Sequence, residues 1–148
     1  MNPLKAFLAG AIAVPVFHQG MLVILNAVGM TDRGAFSMEP TPPFGVPQLV
    51  SSMFWGGLWG IILWLVVRRI ASPAKWWTVA IVFGALATTL VAGLVAAPLK
   101  GQPIAGGGDP SIVAMGLLVN GAWAAGTAIL LRLFRTGTTT LPHAEPGR

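Results

Sequence analysis

The chain has 148 residues, of which 55% are hydrophobic and only 9% are charged. A soluble domain of this length needs far more charged and polar surface, so the composition excludes a soluble globular protein and indicates a protein solvated by a lipid bilayer. The net charge of +5 does not indicate nucleic-acid binding, because the basic residues stand beside apolar segments and not along one soluble face.

Charged residues divide the sequence into four uncharged segments, each long enough for one membrane crossing of about 20 residues. The segments predict an all-α membrane protein, a bundle of four transmembrane helices within a single domain, residues 1–135. The remaining residues, 136–148, are rich in Thr, Pro and Gly and predict a flexible cytoplasmic tail. The predicted helices cover about 7–28, 48–67, 77–97 and 112–134.

The distribution of basic residues predicts the orientation. With the N-terminus in the cytoplasm, seven basic residues lie on the inner side and only Arg33 and Lys100 on the outer side, as the positive-inside rule requires. Both termini are therefore predicted to be cytoplasmic, and the Ala- and Gly-rich composition favours a bacterial inner membrane. The alternative is a secretory signal cleaved near Ala27, which is disfavoured because the uncharged stretch exceeds a usual signal core.

The first predicted helix carries the chain's most distinctive polar pair, His18 and Gln19. Pro15 removes a backbone donor three residues earlier and should loosen the helix near His18. Two interpretations stay open for His18: a functional group for protons, metal, haem or a quinone carbonyl, or a neutral side chain that holds the bundle together through a hydrogen bond. Asn26 lies two turns further along nearly the same face.

The first outer connection, about 29–47, contains four prolines and predicts a stiff, partly extended loop. The second helix then places polar and aromatic residues on one stripe, a pattern compatible with a pocket for an amphipathic ligand and also with ordinary core packing. The stripe consists of Gln48, Ser52, Trp55 and Trp59. Beyond it, Trp64, Trp76 and Trp77 predict an interfacial aromatic belt at the inner side.

Helices three and four add further polar residues at similar depth: Thr88, Asn120 and Trp123. Together with His18 and Gln19 they predict a polar and aromatic layer near the membrane midplane, facing the bundle interior or an oligomer interface. The second outer loop contains Gly106-Gly107-Gly108 without the Lys-Ser/Thr of a phosphate-binding loop, so a flexible turn is expected there.

Small residues recur at four-residue spacing and predict close helix contacts, within a tight bundle or between chains. These residues are Gly56, Gly60, Gly84, Gly116 and Ala124. A second pattern is a resemblance between the two hairpins, since Trp59 precedes Arg68 by nine residues and Trp123 precedes Arg132 by nine. A 2+2 hairpin repeat and chance similarity both explain it.

The sequence contains no recognisable catalytic set and no cluster with metal-ligand spacing, so neither an enzyme nor a metal site is predicted, and no cofactor is indicated. The leading hypothesis is an accessory or assembly subunit, or a self-associating bundle, whose partners are the lipid bilayer and either further copies of itself or other membrane proteins. The alternative is a transporter, channel or binder of a small ligand (quinone, lipid or haem) that uses the polar layer around His18.

Overall fold

The computed structural model of the protein describes residues 1–42 and 44–136. It contains four helices that are each long and apolar enough to cross a membrane. The prediction of a mostly helical bundle with four helices of membrane-spanning length and composition is thereby confirmed. The predicted flexible tail lies outside the described residues except for its first residue.

The helices are α1 (Pro3–Ala27), α2 (Gln48–Val67), α3 (Pro73–Leu99) and α4 (Pro110–Thr136). Three of them begin earlier than predicted because a polar residue followed by proline starts each one: Asn2, Ser72 and Asp109 stand directly before Pro3, Pro73 and Pro110. Proline suits the first helical turn, whose N–H groups lack partners within the helix, and the polar side chain before it caps the backbone.

The caps are visible as hydrogen bonds. Oδ1 of Asn2 accepts from the backbone N–H of Lys5 at 3.0 Å, and Oδ1 of Asp109 accepts from the N–H of Ser111 at 2.8 Å. The hydroxyl of Ser111 also donates to Asp109, and these two bonds lower the pKa of the Asp109 carboxyl. Helices α1 and α3 therefore begin two residues before Lys5 and Lys75, the basic residues that bounded the uncharged segments.

Two of the helices contain a wide π-type turn: Val14–His18 in α1 and Ala92–Ala96 in α3. The first contains Pro15, and the backbone N–H of Gln19 reaches back to the carbonyl of Val14. This confirms the expected loosening of the helix near His18. A π-turn rotates the residues that follow it relative to a regular α-helix and is frequently found at functional sites.

The helices are arranged in the order α2–α1–α4–α3, so the first and last helices lie at the centre. Helices α2 and α3 meet mainly where the short connection 68–72 joins them, and there Leu63 and Val67 pack in one cluster with Trp76 and Ala80. We call this side of the bundle the basic end, defined by Lys5, 68–75 and 132–135. The opposite side, with connections 28–47 and 100–109, is the loop end.

Helices α1 and α2 approach so closely that their backbones touch. A Cβ atom added to Gly10 would overlap the carbonyl oxygen of Gly56 and lie 2.8 Å from the Cα of Gly60. The α3–α4 pair closes in the same manner, with Gly84 against Ala124 and Gly116 against Thr89. The small residues predicted to mediate helix contacts therefore pack against other helices of this same chain.

The long connection at the loop end folds back on the bundle. Two short strands, β1 (Pro40–Thr41) and β2 (Val46–Pro47), pair antiparallel with Pro40 opposite Pro47. Backbone N–H groups at the start of α2 then donate to the carbonyls of Ser37 and Glu39. The loop is therefore partly extended, as its prolines predict, and it is fastened to α2.

Candidate functional site

The predicted midplane residues do not form one hydrogen-bonded layer. Thr88 donates its hydroxyl to the carbonyl of Gly84 in its own helix, whereas Asn120 bonds to Thr89. Among the described residues, the His18 ring forms one hydrogen bond, between its Nδ1 and the Nε2 of Gln19 at 3.5 Å. The polar groups lie at comparable depths but face different partners around the bundle.

Gln19 connects the core of α1 with the loop end. Its side chain is only 6% exposed, and its Oε1 accepts a hydrogen bond of 2.8 Å from the backbone N–H of Phe36. Phe36 adopts a left-handed backbone (φ 57°), a conformation uncommon for a residue other than glycine. The loop is thus held against a helix side chain well below the end of α1.

This contact yields a test of the loop tether. Replacing Gln19 with Met removes the acceptor and keeps the size of the side chain. Because a net hydrogen bond contributes about 0.5–1.5 kcal/mol, hydrogen exchange at the Phe36 amide is expected to accelerate by about 2- to 12-fold. Gln48→Met is the matched control, since Gln48 is exposed. Equal exchange in both variants and the unaltered protein would contradict the tether.

The predicted stripe on α2 does not line a common pocket. Trp55 is 57% exposed and packs edge-to-face on Phe54, and Gln48 is also exposed. Ser52 and Trp59 are half-buried, with Trp59 against the central core cluster. Asn26 is exposed and its Nδ2 donates to the carbonyl of Thr31 at 3.0 Å, so it stabilises the turn after α1.

Trp123 has a structural role that depth alone does not indicate. It is 3% exposed, and its indole Nε1 donates to the carbonyl of Gly10 at 2.9 Å. The same nitrogen lies 3.2 Å from where a Cβ of Gly56 would stand. The indole of α4 thus reaches the point where α1 and α2 cross, and its one donor is occupied there.

Asn120 and Thr89 line a cavity between the halves of α3 and α4 that lie nearer the loop end. The cavity measures about 340 Å³, and its lining includes residues of the loop-end connections. The Nδ2 of Asn120 donates to the hydroxyl oxygen of Thr89 at 2.9 Å. Asn120 is ten residues into α4, about 15 Å along the helix from its start. Polar atoms are therefore available well inside an otherwise apolar space.

The side of this cavity nearest the loop end is formed by the second connection and by one residue of the first. The backbone turns left-handed at Ala105, Gly106 and Gly107, which brings Gly106 against the side chain of Ile112 and Ala105 against Gly93 in the π-turn of α3. The turn is thus packed at Gly106 and open at Gly108, where nothing stands within 4 Å of an added Cβ. Arg33 and Gln102 complete the lining.

The chemistry of the cavity follows from its lining. Among the described residues that line it, four carry polar side chains and the others are apolar or glycine: Arg33, Thr89, Gln102 and Asn120 are the polar ones. The arrangement can hold an apolar body between the helices, with a hydrogen bond at Asn120 and a negative charge near Arg33. Arg33 and Gln102 were not predicted as site residues, because the amino-acid sequence does not indicate which pair of helices a loop residue will contact.

The predicted aromatic belt at the basic end is partly buried. Trp76 is 3% exposed and lies in the core cluster, while Trp64 and Trp77 are half-buried. The guanidinium carbon of Arg132 lies 4.6 Å from the ring centroid of Trp76, and that of Arg68 lies 5.5 Å from the ring of Trp64. Trp64 and Trp76 therefore make cation–π contacts with arginines, in addition to lying at the basic end of the bundle.

Comparison with known proteins gives no match to a family model, to a curated protein or to a solved structure.

Proposed function

We propose that the protein binds a small amphipathic molecule in the cavity between α3 and α4. The observation that supports this is a space of about 340 Å³ with the bonded pair Asn120 and Thr89 on its lining. Ligand sites in proteins have volumes of about 300–1,000 Å³, mostly apolar walls and a few well-placed polar groups. The site is one of binding, for which no catalytic role is proposed.

The lining favours one chemical class of ligand. Asn120 offers an amide, Thr89 a hydroxyl and Arg33 a guanidinium that carries a permanent positive charge. The ligand is therefore a molecule with an apolar body, a hydrogen-bonding group such as a carbonyl or hydroxyl at its buried end, and an acidic group at its exposed end. This site replaces the polar layer around His18 as the position of the small-ligand function.

The orientation in the membrane belongs to the same proposal. Six basic residues of the described chain lie at the basic end, and the positive-inside rule therefore favours cytoplasmic placement of that end and of both termini. The cavity then lies nearer the outer side of the membrane, and the Ala- and Gly-rich composition favours a bacterial inner membrane. The close pairing of α1 with α2 and of α3 with α4 supports a 2+2 hairpin repeat.

Assembly with another membrane protein or with a second copy is the second candidate function. The small-residue contacts no longer favour it, because they are used within the chain. A different observation does: α3 is the least buried of the four spans, and Val82, Leu86 and Leu90 form an exposed apolar face along it. Such a face is covered in a membrane either by lipid or by another helix.

The test is native mass spectrometry of the protein isolated from its own membranes in mild detergent, with identification of every small molecule and protein that copurifies. We expect a small amphipathic acid bound in a defined ratio. Ala92→Leu adds three carbon atoms at the cavity lining and should reduce the affinity for the ligand about tenfold, equivalent to about 1.4 kcal/mol. Ala114→Leu is the control, since Ala114 is exposed on α4 and does not line the cavity.

A second variant tests the charge of the cavity lining separately from the volume of the cavity. Arg33→Gln should reduce binding of the acid and make the remainder insensitive to salt, whereas Lys100→Gln, also at the loop end, should leave binding unchanged. Equal occupancy in Ala92→Leu and Ala114→Leu would place the ligand elsewhere. A stoichiometric partner protein with no small molecule would instead support the assembly function.

A further inference from the structure

The basic end carries a cationic feature that the proposed ligand cavity does not use. Arg132 of α4 is half-buried, and its guanidinium carbon lies 4.6 Å from the ring of Trp76 and 5.4 Å from the ring of Trp77. Its Nε is enclosed and has no hydrogen-bond partner among the described residues. The two indoles thus hold the guanidinium in place through their ring faces, while its Nε lacks an acceptor among the described residues.

No acidic side chain of the described chain is placed to neutralise this charge. The three described acids, Asp32, Glu39 and Asp109, all belong to connections of the loop end. The opposite end of the bundle holds Arg132 together with Lys5, whose Nζ donates to the carbonyl of Phe134 at 3.4 Å. A positively charged site therefore remains beside apolar and aromatic surface, with no counter-charge from the described residues.

The start of α3 adds to the positive potential at the same place. Trp76 in the first turn and Trp77 directly after it lie beside Arg132, and no acidic residue lies in the first turn. Unpaired N–H groups and the helix dipole make such a turn favourable for an anion. Ser72 accepts from two N–H groups of this turn, from Lys75 through its hydroxyl at 3.5 Å and from Trp76 through its carbonyl at 2.9 Å, so the helix dipole is the main contribution to the potential here.

We propose that Arg132, held on Trp76 and Trp77, binds the phosphate group of an anionic phospholipid at the basic end. Arginine presents a planar set of donors that matches a phosphate, and basic pockets between helices at a membrane surface are suited to acidic lipid headgroups. The tryptophans lie where a phospholipid places its glycerol and headgroup region. The acyl chains of the lipid then cover the exposed apolar face of α3 on the surface of the bundle.

The experiment uses the full-length protein in mild detergent and measures lipid binding by native mass spectrometry. The probes are phosphatidylglycerol, which carries a net negative charge, and phosphatidylcholine, which carries none. We expect phosphatidylglycerol to bind the unaltered protein about fivefold more tightly or better, the effect expected of one basic residue near an acidic lipid. Equal binding of the two lipids would overturn the proposal.

Two variants identify the residue responsible. Arg132→Gln should reduce phosphatidylglycerol affinity by about fivefold or more, whereas Arg69→Gln, an exposed arginine at the same end, should change it less than about twofold. Equal losses in both variants would show that general charge attracts the lipid and would overturn the site. Arg132→Lys keeps the charge and the fold but lacks the planar donors, and an intermediate affinity is expected.

A competition arm distinguishes the source of the phosphate. Inorganic phosphate at millimolar concentration should fail to displace phosphatidylglycerol, because only the lipid also contacts the apolar surface of α3. Displacement by inorganic phosphate would assign the site to a free anion and overturn the lipid source. Failure of the ligand test at the loop end leaves this result unaffected, since the headgroup site of Arg132, Trp76 and Trp77 shares no residue with the cavity lining.

Discussion

Replacing Gly10 with alanine is expected to prevent α1 and α2 from closing to their observed distance. The added Cβ would overlap the carbonyl oxygen of Gly56 and stand 2.8 Å from the Cα of Gly60. Both are backbone atoms that cannot rotate away, so the whole helix must shift. Overpacking of a tight contact costs about 1–3 kcal/mol and sometimes more, and a methyl group against backbone should lie at the upper end of that range.

The measurement is the free energy of unfolding in a mixed-micelle titration with sodium dodecyl sulfate, followed by circular dichroism. Gly20→Ala is the matched control, because Gly20 lies in the same helix and nothing stands within 4 Å of an added Cβ. That variant should be unchanged or more stable by up to about 1 kcal/mol, the difference in helix propensity. If the two variants unfold alike, α1 and α2 are not in backbone contact.

Truncation of Trp123 is expected to have the second large effect on stability. Trp123→Ala removes a side chain that is 3% exposed and leaves the carbonyl of Gly10 without its donor. Buried aromatic residues contribute about 3–5 kcal/mol in water-soluble cores, and we expect the lower end here because lipid also solvates an indole. Trp123→Phe keeps most of the packing and should lose only about 0.6 kcal/mol, the average contribution of a hydrogen bond inside a membrane bundle.

Trp55→Ala serves as the control for this pair, since Trp55 is 57% exposed and packs on Phe54 at the surface. The free energy of unfolding of this variant should fall by less than about 1 kcal/mol. Trp123→Ala is expected to lose the most stability, and Trp123→Phe and Trp55→Ala are each expected to lose less than about 1 kcal/mol. A larger loss for Trp55→Ala than for Trp123→Ala would mean that α4 does not bring its indole to the crossing of α1 and α2.

The number of helices and their approximate positions were predictable because a charged side chain is costly in hydrocarbon. The absence of charge over 40–67 delimits the region of α2, which runs Gln48–Val67 in the structure. Charge alone did not predict the starts of α1 and α3. There the helix extends through Lys5 and Lys75 to a capping residue, because long basic side chains reach the aqueous surface from within the first turn.

The depth of the polar residues was predictable, but the direction in which each one faces was not. Thr88 and Thr89 are neighbours in sequence, yet they differ by about 100° around the helix. Thr88 bonds to the backbone of its own helix, and Thr89 bonds to Asn120 beside the cavity. The direction in which each side chain faces depends on the rotation of α3 relative to α4. The contact of Gly84 with Ala124 sets this rotation, and a single sequence does not show that contact.

The central position of the first and last helices affects how the chain is assembled during synthesis. The bond from Trp123 to the carbonyl of Gly10 joins residues 113 positions apart. When α1 and α2 leave the insertion machinery, the acceptor on Gly10 therefore has no indole to bond with, and the face of α1 that will contact α4 is still covered by lipid or by that machinery. The core therefore closes only after the ribosome has supplied α4, because its central hydrogen bond joins the first helix to the last.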